Sequence, residues 1–576
     1  MRFLRIPARR PRGGHASRAA AHVALLAHVA LLAAACGPRP GTAPRPAWDL
    51  LVTNARIVDG TGSPWTRGMV AVRGDRIAYV GPVLPGATAA RVIDAEGMVV
   101  APGFVDMLGH SELSLLRNPL AESKISQGIT SEITGEVSSA WPNTTAGEAD
   151  ADAEPPRWRS LGGYFHVLDS IGHTINLGTY VGAASVRRAV MGDASRRPTE
   201  AEMRAMEALV DSAMRDGAIG FSTGLIYPPS TFFTTDELVR LTRRAAAHGG
   251  GYASHIRNEG DSLLVAIREA IRIGAEAGTW VQIRHLKSSG ERNWGRMVDA
   301  VALIDSARRA GQDVTADMYP YVASGTGLDA ILPIWVQAGG DDSMLVRLAD
   351  PAVRERLRAD ASGGHWRPRD PSQVLVNSTR ADSLEIYEGK RLDEVGRMRG
   401  TDPYEAAYDI LLADSGRTSA IYFTMSEEDV RTAMRMPWVS FGQDAGAAGI
   451  DTTGRGRGHP RGFGTFPRIL GRYVREDSVL TLEEAVRKMT SLPAQRVGLD
   501  ARGVLKQGMY ADVVVFDPAA VIDRATFERP QQLSEGIRFV AINGVLVLDD
   551  GRVTGARPGR ALRGAWWSAR HDAPQR

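Results

Sequence analysis

GYASHIRNEGDSLLVAIREAIRIGAEAGTWVQIRHL, Gly251 to Leu286, contains two short apolar runs with an amphipathic helical pattern between them. Each run ends in a histidine, His255 in the first and His285 in the second. The same alternation occurs earlier, where AIGFST precedes TDELVRLTRRAAAHG, and later, where WVQIRHL precedes MVDAVALIDSARRAG. Strand-like and helix-like segments in turn, repeated over this length, predict a parallel α/β barrel. In such a barrel the chemistry sits at the ends of the strands. The fold class expected is therefore α/β, a TIM-type (β/α)8 barrel.

Working outward, DLLVTNARIVDGTG and VAVRGDRIAYVG near one end are β-rich runs with Asp-Gly and Gly-Asp turns. GMYADVVVFDP and FVAINGVLVLDDGRVTG repeat that pattern near the other end. Together they predict a small β-sandwich built from both chain ends, residues 48–103 and 502–566, flanking a barrel over 104–501. The barrel rhythm breaks at 328–418, a Trp-, Pro- and Asp-rich stretch that reads as an insertion or lid over one barrel mouth. Residues 567–576 read as a tail.

With 576 residues the chain has room for a large barrel and satellites. Its 43% hydrophobic and 23% charged residues fit an ordinary globular protein. Net charge is +3, and no internal basic stripe interleaved with aromatics appears, which argues against a nucleic-acid partner. The N-terminus stands apart. Residues 1–18 carry six arginines and no acid, and AAAHVALLAHVALLAAAC follows. An Arg-rich start, an apolar core and a small-residue exit form an export signal, residues 1–36. Cys36 is the only cysteine, so it has no intramolecular disulfide partner. LLAAAC-G resembles a bacterial lipoprotein signal, in which Cys36 becomes the lipidated first residue. Plain secretion is the alternative. Residues 37–47 then form a flexible tether, and the location expected is periplasmic or membrane-anchored, touching the membrane only through that lipid.

Five strand-like runs end in residues able to bind a divalent ion. GFVDMLGH ends in His110, SEITGE in Glu136, GYASH in His255, VQIRH in His285 and WVSFGQD in Asp444. Imidazole and carboxylate from separate strand ends suit zinc. One such residue means little, since a lone histidine more often makes a hydrogen bond and a lone aspartate often caps a helix. Five in order along one barrel point to a metal site.

At these residues the sequence resembles the amidohydrolase superfamily, and within it the N-acyl-D-amino-acid deacylases (D-aminoacylases). The resemblance spans roughly residues 48–566 and rests on APGFVD, KISQGITSEITGE, GLIYPPSTFFTTDEL, YASHIRNEGD, VQIRHLKSSG, DMYPYVASGTGL, GHPRGFGTFPRILGRY, AVRKMTSLPAQRVGL and GVLKQGMYADVVVFDP. It implies a distorted TIM-type barrel with a β-sandwich and a zinc-activated water that hydrolyses an amide of a small-molecule substrate. By resemblance His255 and His285 are metal ligands, Asp444 shuttles the proton, and Lys287 faces the substrate. Tyr227, Tyr319, Tyr321, Ser324 and Arg461 match pocket-lining stretches. Lys287, Arg257 or Arg461 would clamp the substrate carboxylate.

Two positions depart from the family. Its first strand usually ends in His-x-His, but this chain has Leu108-Gly109-His110, and leucine offers no donor atom. The cysteine that the deacylases commonly place after strand three is replaced by Val137, with Glu136 one residue earlier. By analogy with the N-acetylglucosamine-6-phosphate deacetylase type, the expected site is one zinc on Glu136, His255 and His285, with His110 a polar catalytic residue. A second, weaker metal on His110 and Asp444 stays open. Alternatives on the same fold are a hydantoinase-like cyclic amidase or a D-dipeptidase. An alternative of another class is an exported, non-catalytic binding protein with a degenerate site.

Overall fold

A computed structural model describes residues 47–142, 158–360, 364, 366–450, 457–499 and 501–567. Cys36 and the expected signal and tether, apart from Ala47, lie outside these residues, as does the tail from 568 on. Residues 251–286 fold as strand, helix, strand. Helix Leu263–Ala277 buries Leu263, Ala266, Ile267, Ala270 and Ile273 along one stripe and stops at Gly278, φ +72°. Each of its leucine and isoleucine side chains taken fully out of water contributes about 1.5–3 kcal/mol.

Eight parallel strands form the barrel. In chain order they are β1 (Phe104–Asp106), β2 (Ile129–Thr134), β3 (Asn176–Thr179), β4 (Gly220–Gly224), β5 (Gly251–His255), β6 (Val281–Ile283), β7 (Val314–Met318) and β8 (Val439–Phe441). All are buried along their whole length, as expected of strands covered by helices outside and side chains within. The barrel is distorted in two places. β3 pairs with β2, but after Tyr180 the chain resumes as Val181–Gly182 and pairs with β4 instead. Closure between β1 and β8 rests on a few bonds, Met107 N–H to Phe441 O at 3.1 Å and Asp444 N–H to Leu108 O at 2.7 Å among them. Glycines bring β4 and β5 close: a Cβ on Gly220 would run into the backbone of Gly251.

The β domain takes strands from both chain ends. Its nine strands are hydrogen-bonded into one sheet, in which Val99–Pro102 joins Trp48–Ile57 on one side and Val513–Phe516 on the other. The sheet bends back until Ile77 exchanges backbone bonds with Gly508 and Met509. The enclosed core holds Leu50, Val52, Val70 and Val72 from one end and Val513, Val515 and Phe539 from the other. Only Gly103 separates this sheet from β1.

Between β7 and β8 the chain leaves the barrel. Strands Ser324–Gly327, Val374–Ser378 and Ser419–Tyr422 form an antiparallel sheet with helices that include Asp341–Ala349 and Pro403–Ala413. This insertion has its own core, Leu328, Leu348, Val374, Ile410 and Tyr422 among its members, and Ile226 from the loop after β4 packs into it. It is wider than the 328–418 expected, because the strands on either side belong to it.

Candidate metal centre

All the strand-end residues converge at one mouth. Glu136, His255 and His285 form the deep group, at 4%, 3% and 3% exposure. His285 Nε2 lies 2.8 Å from Glu136 Oε1 and 2.9 Å from His255 Nδ1, and His255 Nδ1 lies 3.7 Å from the same oxygen. A tetrahedral zinc with bonds of about 2.0–2.1 Å needs donor spacings of about 3.3 Å, so the triangle is of the right size. Glu136 Oε1 is buried and has no hydrogen-bond partner among the described residues. Three metal-ligand atoms facing one another in a buried site can hold a cation between them, and these residues fit one.

Elements around the triangle fix each donor. Glu136 follows Gly135, whose φ of +86° and crowding against Tyr180 exclude a side chain. Gly135 N–H donates to Glu112 Oε1 at 2.6 Å. His285 sits at φ +30°, a conformation non-glycine residues avoid, and its N–H donates to Asp317 Oδ1 at 2.7 Å. Behind it His285 Nδ1 meets Glu259 Oε1 at 3.0 Å and Lys287 Nζ at 2.6 Å, while Lys287 donates to Glu259 at 2.7 Å. A carboxylate behind a metal-ligating imidazole orients the ring and raises its basicity. Burial alone would raise the Glu259 carboxyl, but Lys287 and the two histidines outweigh it and hold it well below the usual carboxylate range. Sequence reasoning missed Glu259. Its one signal was its place four residues after a strand-end histidine, in SHIRNEG.

The second group is nearer solvent. His110 Nε2 is 2.8 Å from Asp444 Oδ1 and 3.6 Å from Glu136 Oε2, and its side chain is 39% exposed. His110, Glu136 and Asp444 form a second set of donors close enough to share an ion, with Glu136 common to both sets. Asp444, φ +54°, faces Arg461, whose Nη1 is 2.7 Å from Oδ2. Burial pushes the Asp444 carboxyl up, but Arg461 and the His110 hydrogen bond prevail and hold it at about 2. Burial opposes protonation of His110, and Asp444 and Glu136 overcome it, raising the ring to about 9.

Both arms of this outer group hang from one buried hub. Lys124 Nζ donates to Asp106 Oδ2 at 2.9 Å and Ala445 O at 2.8 Å, with Glu132 Oε2 at 3.3 Å. Asp106 Oδ1 accepts from the Leu108 and Gln443 N–H groups. Glu132 accepts from Ser111 and fills the space beside Gly109, so any side chain at 109 would strike its carboxylate. Leu108 is fully buried against Gly442.

Over these groups lies a cavity of about 350 Å³ whose lining includes Tyr227, Lys287, Tyr319, Ser324, Trp366 and Arg461. That volume suits a small molecule. Arg461 stacks over Tyr319, with its carbon 4.7 Å from the ring centroid, and Tyr319 OH is 3.1 Å from Ser324 Oγ. Arg461 Nε and Nη1 are buried without a hydrogen-bond partner among the described residues, the Asp444 contact being off-angle for one. Its backbone N–H donates to His459 Nδ1 at 3.0 Å, and His459 Nε2–H donates to Ala323 O. His459, within GHPRGFGTF, is a second residue that sequence reasoning missed.

Two residues expected to face substrate do not. Arg257 turns away from the cavity: Nε and Nη2 bind Glu269 at 2.8 and 2.9 Å, and the remaining contacts go to the carbonyls of Thr231 and Phe233. It is a strut that ties the loops after β4 and β5 to helix Leu263–Ala277. Tyr321 lies one layer behind the lining, edge-on to His459 and Phe527.

This site on this barrel defines a class. The model of the amidohydrolase family matches residues 91–548, and the chain belongs to that family, hydrolases of carbon–nitrogen bonds other than peptide bonds. Among curated relatives, three from Alcaligenes xylosoxydans xylosoxydans align with 89% of this chain. D-aminoacylase is 37% identical over 97% of its own length, N-acyl-D-glutamate deacylase 38% over 96%, and N-acyl-D-aspartate deacylase 36% over 95%. The crystal structure of N-acyl-D-glutamate deacylase from Bordetella bronchiseptica, complexed with zinc and a phosphonate mimic of the tetrahedral intermediate, aligns with a TM-score of 0.77 at 36% identity, covering 90% of this chain and all of that one. A D-aminoacylase structure concerned with its binuclear metal centre, one-metal activation and second-metal attenuation, aligns at 0.76 with the same identity and coverage.

Proposed function

We propose that this chain deacylates N-acyl-D-amino acids with one resident zinc on Glu136, His255 and His285. The observation that carries this reading is the buried triangle of donors, with an orphaned carboxylate oxygen, directly beside the Asp444 carboxylate. A zinc ion there would polarise the scissile carbonyl and bring the pKa of water from about 16 towards 7. Asp444 is ionised at neutral pH and accepts the proton of the attacking water. It then hands that proton to the leaving nitrogen, and one carboxylate serves both steps because they are sequential. His110, paired with Asp444 at 2.8 Å, would bring positive charge to the developing oxyanion when protonated. Arg461 receives the substrate carboxylate through Nε, which has no hydrogen-bond partner among the described residues, while its Nη1 stays against Asp444, with the Tyr319 and Ser324 hydroxyls beside it.

Lys287 has a different part in this reading from the clamp expected of it. Its ammonium is engaged by Glu259 and lies against His285, so it balances charge behind the ligand. For Cys36 we propose lipidation after export, which labelling with a radioactive fatty acid in wild type and Cys36→Ser would test.

The test of the activity combines zinc analysis with a hydrolysis screen over N-acetyl-D-amino acids, their L forms, hydantoins and D-dipeptides. About one equivalent of zinc with hydrolysis of N-acetyl-D substrates is expected. Turnover confined to hydantoins or dipeptides would overturn the reading, as would a zinc-free protein.

A further inference from the structure

Besides the His110 ring, three cationic side chains among the described residues line the cavity over Glu136, and the amide chemistry accounts for two of them. Lys287 is buried against Glu259 and His285. Arg461 faces Asp444 and the substrate carboxylate. The third is Arg188, on helix Ala183–Met191, which follows the resumed part of β3 and so reaches the cavity from strands remote from β6 and β8.

Arg188 is not spent on the fold. Its Nε donates to Asp193 Oδ1 at 2.9 Å, and among the described residues neither Nη nitrogen has a hydrogen bond. Its side chain is 18% exposed, so most of it is withdrawn from solvent while both Nη nitrogens are left without a bond to the described residues. The acids around it are Asp193 and, from the insertion, Asp341, close enough for the two charges to act on each other. An arginine with both Nη nitrogens free suits a carboxylate in bidentate contact.

A substrate with a neutral side chain brings a single carboxylate to this cavity, and Arg461 is built for it. A second, separately mounted guanidinium has work only when the substrate brings a second anionic group. We propose that Arg188 binds the side-chain carboxylate of the substrate and selects N-acyl derivatives of D-aspartate or D-glutamate. This rests on the deacylase reading above and narrows it. Overall identity does not choose among the three activities, since the relatives stand at 37%, 38% and 36%. The charge of the wall does.

The experiment compares kcat/KM for N-acetyl-D-aspartate, N-acetyl-D-glutamate and N-acetyl-D-leucine in the zinc-loaded wild type and in Arg188→Gln. In the wild type at least one acidic substrate should exceed the leucine derivative by about tenfold or more. In Arg188→Gln the acidic substrates should fall by about a hundredfold, chiefly through KM, with the leucine derivative nearly unchanged. A wild type that handles the leucine derivative as well as both acidic ones overturns the proposal and leaves the deacylase reading intact, whatever the variant does. An equal loss on all three substrates in the variant also overturns it. Failure to hydrolyse any of the three would overturn the deacylase reading, and this assignment with it.

Discussion

The two halves of the site are built on opposite principles. The inner half, Glu136, His255 and His285, is no more than 4% exposed and is braced by Glu259, Lys287 and Asp317. Its donors face one another with nothing of the protein's own between them. In the outer half, His110 is 39% exposed, and the charges are already matched within the protein, His110 and Arg461 on the two oxygens of Asp444. Leucine stands at 108, and an internal cation, Lys124, holds the β1 and β8 arms together from below. The lesson is that a donor cluster asks for a metal only when its charges are left unbalanced. The inner half leaves them so; the outer half balances them with side chains.

Breaking the outer half should hurt chemistry and spare metal. Asp444→Asn is expected to lower kcat by about 10² to 10⁴ with zinc content unchanged, read by single-turnover kinetics and elemental analysis. Zinc lost together with activity would show instead that Asp444 belongs to the metal-holding half. Weakening the inner half should do the reverse. Glu259→Gln removes the charge behind His285 and should cost about 10–100-fold in zinc affinity, measured by competition with a chelator. Leu108→His sharpens the contrast by giving the outer half a second imidazole. It should raise zinc content from about one equivalent towards two, and an unchanged stoichiometry would mean that the salt bridges alone keep that half closed to metal.

The smallest effect concerns pH. In metal-free protein the His110 ring titrates near 9, above its ordinary 6.5. A raised folded-state pKa contributes stability that is complete below 6.5 and disappears as pH rises through about 9. The Tm difference between wild type and His110→Gln should therefore be larger at pH 6 than at pH 10. A gap that widens with pH would contradict the His110–Asp444 pairing.

Much of the fold was legible because it repeats. Strand and helix periods recur along the barrel, and the β grammar returns at both ends, so the α/β barrel with its β domain follows from local pattern. The insertion was legible as an interruption, but its edges were not, since Ser324–Gly327 and Ser419–Tyr422 resemble barrel strands until their antiparallel pairing is known. In the site, donor type and strand-end position could be read from the sequence, whereas the direction of a side chain could not. Arg257 and Arg461 look alike as text, and Glu269 pulls one away from the cavity while His459 and Tyr319 hold the other over it.

The sequence by itself determined the barrel, the donors available at its mouth and the missing histidine at 108. These are properties of residue type and short-range spacing. Only the tertiary structure decided that Glu136 is shared by two donor sets, that Glu259 stands behind His285, and that Arg188 enters the cavity. The physical reason is that these depend on backbone held by distant partners. Asp317 is 32 residues from His285, and the Lys124 ammonium reaches a carbonyl 321 residues away. No local pattern encodes such contacts.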